Sequence, residues 1–174
     1  MERQEQVRQL DLYLAQHKGL LSNEEEKRYI DLIIAEGEKM TPPAIDGEEP
    51  QEEEPVSLEL LKLNKKLQLL VYDSSPAING FTVNGQDMWF TPDLRANLRN
   101  ALDALEGASE ETVTFKGMTL PVANAKAMLA AVELYAAKCA QVTEDHAKKI
   151  AAKKTASTVA SYDFTGGYPA KPTF

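Results

Sequence analysis

Residues 122 to 154 constrain the fold most, because they contain neither proline nor glycine over a length that only a helix commonly reaches. Residues that suit a buried face recur there every three or four positions: Met128, Val132, Tyr135, Cys139, Val142, His146 and Ile150. This spacing predicts one long helix or two helices with a slight break. Its many alanines would allow a neighbouring helix to approach closely.

Two shorter helices are predicted nearer the N-terminus. Val7, Leu10 and Leu14 recur at helical spacing, and Gly19 follows as a C-cap, so residues 3 to 17 form the first. Its partner begins at a capping box made by Ser22 and Glu25. The second helix carries four large apolar residues on one side: Tyr29, Ile30, Ile33 and Ile34.

Together these helices form a predicted hairpin or arm over residues 1 to 40. Its apolar face is small, so we expect it to pack on the main domain or on another protein. Residues 41 to 57 follow with four prolines and a run of glutamates, which predicts an extended acidic linker.

The charge changes at the same place. Residues 1 to 57 hold 15 acidic and 6 basic residues, whereas residues 58 to 174 hold 12 and 13. We therefore predict a boundary near residue 57 and a compact domain over residues 58 to 174 that folds without the rest.

Between the predicted boundary and the long helix, the sequence predicts two further helices and two hairpins. Ser57 begins a leucine-rich helix. Asn84-Gly85 is the strongest hairpin signal, because a type I′ turn needs positive φ at both central residues. Thr91-Pro92 begins the next helix as N-cap and N1. Alternation around Lys116-Gly117 predicts the second hairpin. The fold class is α+β and mostly α, with two small antiparallel hairpins packed with helices and an N-terminal helical arm in front.

Composition limits the partners and the compartment. The net charge is -8 and the pI about 4.9, which argues against nucleic acid as a main partner. Lys148, Lys149, Lys153 and Lys154 are the most basic stretch, and they favour a solvated helix end over a phosphate site. Cys139 is the single cysteine, so an internal disulfide is excluded. Apolar runs are too short for a membrane span, and we expect a soluble protein made in the cytoplasm.

Catalytic and metal-binding patterns are weak. His146 follows Glu144 and Asp145, and Cys139 lies two helical turns away, about 10 Å along the axis. That distance is too long for shared coordination without other ligands, so we expect a boundary histidine. We predict no catalytic residue, no metal site, no cofactor and no enzymatic activity.

Aromatic residues are better candidates for contacts. The sequence ends in "SYDFTGGYPAKPTF", where glycines allow a change of direction and prolines hold the chain extended. Its rings complete the core of the same domain or, as a second reading, clasp a neighbour. Trp89 is either core or a binding hot spot. The predicted interaction residues are Tyr13, Tyr29, Ile33, Trp89, Tyr162, Phe164, Tyr168 and Phe174.

Residues 70 to 174 resemble an uncharacterised domain of bacteriophage and prophage proteins, common in phages of gut Bacteroidales and near tail or fibre genes. The resemblance is carried by Tyr72 to Ser75, by Asn79 with Phe81, by Trp89, by Arg95 with Leu98, and by Tyr162 to Pro169. Phe90-Thr91-Pro92 departs from the Leu-Asp expected after the tryptophan. The acidic N-terminal region is unmatched.

This resemblance implies context and no catalytic residues. It implies a non-enzymatic structural protein of the phage tail, neck or fibre apparatus, located in the virion and made in the host cytoplasm. Its partners would be other phage structural proteins and further copies of itself, without nucleic acid or membrane. The alternative is a tail or fibre assembly chaperone that is absent from the mature virion.

Overall fold

A computed structural model describes residues 3–39, 56–115 and 117–174. The described chain is mostly helical with two antiparallel two-stranded sheets, so the predicted α+β class is confirmed. The helices are α1 (Arg3–Gln16), α2 (Asn23–Glu38), α3 (Leu58–Asp73), α4 (Pro92–Gly107), α5 (Val122–Ala152) and α6 (Ala156–Ala160). The strands are β1 (Phe81–Val83), β2 (Gln86–Met88), β3 (Thr112–Phe115) and β4 (Met118–Pro121).

The chain divides into two compact units. Unit 1 comprises Met1–Tyr72 and Thr143–Gly166, and unit 2 comprises Asp73–Val142 and Gly167–Phe174. Each unit therefore contains two separate stretches of sequence. The predicted acidic linker lies outside the described residues, except for Val56 and Ser57.

Helix starts agree closely with the sequence signals. Ser22 accepts a hydrogen bond from the backbone N–H of Glu25, whose carboxylate accepts one from the Ser22 N–H, so the predicted capping box is confirmed. Ser57 Oγ accepts from the Leu60 N–H at 3.3 Å, and Thr91 Oγ1 accepts from the Leu94 N–H at 3.3 Å. Each cap satisfies a backbone N–H that has no partner within the helix.

Both predicted hairpins are present. Asn84 and Gly85 have φ values of 49° and 79°, the left-handed values that a type I′ turn requires, and β1 pairs with β2 around them. β3 pairs with β4 in the same antiparallel sense. Gly117 has φ of 79°, as the predicted second turn needs, whereas Lys116 lies outside the described residues.

Unit 1 is held together by a core that α1, α2 and α3 share. The buried apolar residues in this cluster are Val7, Leu10, Leu14, Leu21, Tyr29, Val56, Leu60 and Leu67. The first three come from α1, and Leu60 and Leu67 lie on α3 with no exposed surface. The N-terminal hairpin therefore packs on α3 of its own chain.

This packing differs from the division predicted at residue 57. The charge break coincides with an acidic, proline-rich stretch of sequence, but net charge depends on solvent-facing residues and carries little information about packing. α3 shares a core with the two helices that precede the stretch. The compact units accordingly place α3, up to Tyr72, with residues before the predicted boundary.

Unit 2 has its own apolar clusters on the first part of α5. Phe81 and Val83 of β1 pack with Val132 of α5. Leu102 of α4 packs with Val122 and Leu129. α5 is a single helix of 31 residues, which decides between the one-helix and two-helix readings of that stretch.

A buried carboxylate on α2 is a feature that the sequence reading missed. Glu36 is 3% exposed and pairs with Arg3, with Lys39 at 3.0 Å and with the Ser57 backbone N–H at 3.3 Å. Burial raises the pKa of its carboxyl, but hydrogen bonds from Arg3 and Lys39 lower it by more, so the pKa lies below the ordinary value. Glu36 thereby ties α1 and the start of α3 to the end of α2.

Glu36→Gln is expected to lower the free energy of unfolding at neutral pH by about 1.5–3 kcal/mol, because hydrogen bonds to a charged group are lost. The folded-state pKa is depressed. This stabilisation is therefore present above the unfolded-state pKa of about 4.3 and is lost as the pH falls through the lower folded-state value. Urea titrations at neutral pH and near pH 3, which lies below the unfolded-state pKa, measure how much of this stabilisation is lost.

Glu38→Gln is the matched control, since Glu38 is exposed on the same helix. We expect it to change stability little at either pH. A loss for Glu36→Gln that is equally large at both pH values would contradict the ionic role.

Candidate functional site

The aromatic C-terminal segment, defined as Ser161–Phe174, is ordered against the chain itself. Residues up to Gly166 belong to unit 1, and those from Gly167 belong to unit 2. Its four aromatic side chains are all half-buried: Tyr162, Phe164, Tyr168 and Phe174. Gly167 has φ of 87°, which favours glycine there.

Tyr162 contacts the one histidine of α5. His146 is 8% exposed, and its Nδ1 lies 2.6 Å from Tyr162 Oη while its Nε2 lies 2.9 Å from the Gly166 carbonyl oxygen. A carbonyl oxygen only accepts, so Nε2 carries the hydrogen and donates it, and in the neutral ring Nδ1 accepts from the Tyr162 hydroxyl. His146 therefore ties α5 to the C-terminal segment within unit 1.

The Tyr162 hydroxyl is kept protonated by its surroundings. Burial, with the nearby charge of Asp163, raises its pKa. The ammonium of Lys153 lies 4.7 Å from the centre of the Tyr162 ring, within the range of a cation–π contact. A protonated hydroxyl is what the histidine contact needs as donor.

We expect neutral His146 to carry its proton on Nε2, which nitrogen NMR of the imidazole measures directly. Tyr162→Phe should lower the free energy of unfolding by about 1 kcal/mol, because one hydrogen bond is removed and Nδ1 loses a partner. Tyr13→Phe, at another half-buried tyrosine of unit 1, is the control and should cost less. Equal populations of the two His146 tautomers would contradict the assignment.

Phe164 packs on α3. Its ring centre lies 5.8 Å from that of Tyr72 and 5.3 Å from the ammonium of Lys65. Lys65 also donates to the Ala160 carbonyl oxygen at 3.1 Å, at the end of α6. Burial lowers the pKa of Lys65. One lysine thus contacts both the end of a helix and an aromatic ring that follows it.

Asp163, between the two rings, shapes the chain locally. Its Oδ1 accepts from the Thr165 backbone N–H at 2.8 Å and from Thr165 Oγ1 at 2.7 Å. These hydrogen bonds hold the pKa of Asp163 below its ordinary value, and the nearby His146 and Lys65 lower it further. An aspartate that bonds two residues ahead is a common turn device, so this carboxylate serves conformation.

The last residues lie beside β1. Phe174 packs against Phe81 with ring centres 6.1 Å apart and an edge-to-face arrangement. Thr82 and Thr173 form a parallel bridge. The sequence suggested that the segment completes the core or clasps a neighbour, and in this structure it lies on its own chain.

Trp89 is part of unit 2. Its ring is 6.5 Å from that of Tyr135 and lies beneath the guanidinium of Arg95 at 5.2 Å. Arg95 also donates to the Phe90 carbonyl oxygen at 2.6 Å. Half-buried among these groups, Trp89 is held in place by the fold and offers a partner only part of its surface.

The candidates in the N-terminal helices are placed by their own packing. Tyr29 has no exposed surface, so it is a core residue and offers nothing to a partner in this structure. Its hydroxyl lies 3.2 Å from the Leu10 carbonyl oxygen and 3.0 Å from Asn64 Oδ1, and burial raises its pKa. Tyr13 and Ile33 are half-buried against the same core.

Two isoleucines of α2 are exposed, which the one-sided apolar pattern did not predict. Ile30 is 39% exposed and Ile34 is 53% exposed. They are four residues apart and therefore neighbours on the helix surface. Tyr29 and Ile33 occupy the adjacent row that faces the core, because each residue turns the helix by about 100°. The other large exposed apolar residues that the structure describes are Leu12, Leu20 and Leu134.

Each unit also contains a recess. Unit 2 has an apolar cavity of about 60 Å³ between the two hairpins, α4 and α5. This volume is far below the roughly 300–1,000 Å³ of ordinary ligand pockets. Three flexible methionines line it: Met88, Met118 and Met128. The cavity is therefore a packing gap at its present size.

The recess in unit 1 is a charged groove of about 510 Å³ between α2, α3 and the end of α5. Its positive and negative side chains form ion pairs. Arg28 pairs with Glu59 at 2.7 Å, and Lys148 pairs with Glu144 at 2.8 Å. Because cations and anions both line the groove and pair with one another, it does not favour a ligand of either charge.

The described part of the chain contains neither a cluster of metal ligands nor a membrane-spanning helix. Across residues 3–39, 56–115 and 117–174, no three side chains of His, Cys, Asp or Glu lie together as a metal ion would require. None of the helices in that part of the chain combines the length and hydrophobicity needed to cross a bilayer.

Comparisons with family models, with curated proteins and with solved structures found no match for this chain. The resemblance of residues 70 to 174 to a phage domain therefore stays a prediction.

Proposed function

We propose that this chain is a non-enzymatic structural protein of a bacteriophage particle, in its tail, neck or fibre apparatus, and that it acts through protein–protein assembly. Its partners are other phage structural proteins and further copies of itself. The proposal takes its biological context from the resemblance of Tyr72 to Ser75 and Tyr162 to Pro169 to phage proteins.

The exposed pair Ile30 and Ile34 is the observation that supports it. The two side chains form neighbouring apolar positions on the surface of α2, while Tyr29 and Ile33 anchor the helix to the core. Adjacent exposed apolar side chains on one face of a helix can serve as anchors in a helix-in-groove contact. The helix therefore presents a small apolar surface without losing its own packing.

Mass spectrometry of purified particles, from a phage that encodes the chain, tests the proposal. Copies in mature particles support a structural protein. Presence only in the lysate of infected cells supports the alternative, an assembly chaperone that leaves before maturation. Association with no particle or assembly intermediate contradicts both.

A pair of variants tests the surface. Ile30→Asp with Ile34→Asp should leave the protein folded, as judged by circular dichroism, and reduce its incorporation into particles at least tenfold. Ala35→Asp, at an exposed position of the same helix, is the control and should be incorporated normally. Normal incorporation of the double variant would remove α2 from the contact.

A further inference from the structure

β1 is paired along both of its edges. β2 occupies one edge. On the other, the Thr82 N–H donates to the Pro172 carbonyl oxygen at 2.9 Å, and the Phe174 N–H donates to the Thr82 carbonyl oxygen at 2.8 Å. The Asn84 N–H donates to the Phe174 carbonyl oxygen at 3.0 Å. These three bonds join backbone to backbone, so any extended chain in the same position makes them.

Side chains make this edge selective for the C-terminal strand. The Phe174 ring packs on Phe81, which is 1% exposed and belongs to the core of unit 2. The Lys171 ammonium donates to the Pro76 carbonyl oxygen at 2.7 Å and lies over Gly80. A Cβ at Gly80 would come within 3.1 Å of that nitrogen, so glycine leaves room for the lysine. The site thus recognises Lys-Pro-Thr-Phe by a ring, an ammonium and backbone bonds.

Residues 167–174 have features that favour binding as one short extended strand. Pro169 and Pro172 restrict its backbone, which reduces the entropy lost on binding. Pro172 has no N–H, so the pairing with β1 cannot extend further towards Gly80. Two exposed glycines, Gly166 and Gly167, join the strand to the rest of the chain. A short strand on a glycine connection is well suited to exchange between copies.

We propose that this edge of β1 is a binding site for the C-terminal strand of a second copy, so that residues 167–174 exchange between chains. The contacts are the same whether the strand comes from the same chain or another, and only the tether differs. A short tether corresponds to an effective concentration on the order of 1 mM, so exchange is favoured where many copies are concentrated. A phage particle provides that condition, and to this extent the inference rests on the proposed function.

Single-cysteine chains test exchange in the full-length protein. Thr82 and Thr173 lie opposite each other in the bridge, so Thr82→Cys is made in one chain and Thr173→Cys in another, each with Cys139→Ser. The two chains are mixed near 1 mM, refolded together and oxidised. Neither chain can form this disulfide within itself. We expect a heterodimer joined at positions 82 and 173, identified by mass spectrometry.

Asp87→Cys replaces Thr82→Cys in the matched control. Asp87 pairs with Thr82 across the hairpin, on the strand at the opposite edge of β1 from the C-terminal residues. Thr82 Oγ1 donates to Asp87 Oδ1 at 3.1 Å, so both variants lose the same hydrogen bond. The yield of disulfide-linked heterodimer with the Thr173→Cys chain is compared for the Thr82→Cys and Asp87→Cys chains. Equal yields, or a lower yield for Thr82→Cys, would overturn the proposal.

A peptide provides the second readout. Chain 1–166 is titrated with fluorescent GYPAKPTF, the sequence of residues 167–174. We expect saturable binding that is about tenfold weaker when Phe174 of the peptide is replaced by Ala, since about 1.4 kcal/mol is a factor of ten. A folded chain 1–166 that does not bind the peptide contradicts the proposal.

The cysteine pair needs no truncation and decides the question if chain 1–166 does not fold. Both experiments use purified protein. Exchange can therefore fail in them while the protein is still found in particles. Equally, exchange can occur while the protein is absent from particles, so failure of the inference and failure of the proposed function are distinguishable.

Discussion

A fragment of residues 58–174 is expected to lose the structure of unit 1, although the charge break at residue 57 predicts that it folds by itself. The fragment lacks six buried side chains of the unit 1 core: Val7, Leu10, Leu14, Leu21, Tyr29 and Val56. At roughly 1.5–3 kcal/mol each, their burial contributes about 9–18 kcal/mol. That amount is comparable to the whole stability of a typical domain.

Two spectroscopic signals separate the units in this experiment. Trp89 is the single tryptophan and belongs to unit 2, so its fluorescence follows that unit. Leu60 and Leu67 of α3 would become exposed in the fragment, and far-ultraviolet circular dichroism should show the loss of helix there. We expect a Trp89 transition together with reduced helicity per residue. Full helicity and unchanged stability would contradict the shared core.

Point substitutions give a milder version of the same test. Leu14 is 2% exposed and Leu12 is 47% exposed on the same helix. Leu14→Ala should lower the free energy of unfolding by about 2–5 kcal/mol, because it removes buried methyl groups and leaves a cavity. Leu12→Ala should change it by less than about 0.5 kcal/mol. Similar losses at both positions would contradict the packing of α1 on α3.

Local sequence signals predicted much of the fold. The capping box at Ser22, the type I′ turn at Asn84-Gly85 and the Thr91-Pro92 start each depend on residues within four positions of one another. Their chemistry is decided by backbone angles and by the orphan N–H groups of a helix end. Such signals can be read without knowing what the elements pack against.

Contacts between distant residues were not predictable in this way. Glu36 and Arg3 are 33 positions apart, and His146 meets Gly166 across 20. A histidine at a helical core position has the same sequence pattern whether it binds a metal, faces solvent or, as here, bonds a tyrosine and a carbonyl oxygen. The pairing of Thr82 with Thr173 is similarly hidden, because a three-residue strand that contains proline carries little strand signal.

Residue type also could not show which candidate interaction residues are exposed. Aromatic residues are favoured both in cores and in contact surfaces, so type alone cannot separate Tyr29, which is fully buried, from a surface residue. The helical period identified an apolar side of α2 but did not resolve its two rows. Which row faces the core depends on α3, and α3 lies beyond the predicted linker.

Ending the chain at Asp163 is expected to lower the free energy of unfolding by about 2–4 kcal/mol. Three half-buried rings at roughly 1 kcal/mol each are lost: Phe164, Tyr168 and Phe174. The three backbone hydrogen bonds to β1 contribute about 1 kcal/mol each. Ordering these residues costs conformational entropy, which offsets part of the sum.

A second truncation divides this loss between the two halves of the segment. Chain 1–166 keeps Phe164 beside Tyr72 and the Gly166 carbonyl oxygen that accepts from His146. It should therefore retain the Nε2-protonated tautomer of His146, whereas chain 1–163, which keeps Tyr162 but lacks the Gly166 oxygen, should populate that tautomer less. Urea denaturation with nitrogen NMR measures both effects. A chain 1–163 that is as stable as the full sequence and has the same His146 tautomer population would show that the residues after Asp163 neither complete the core nor fix His146.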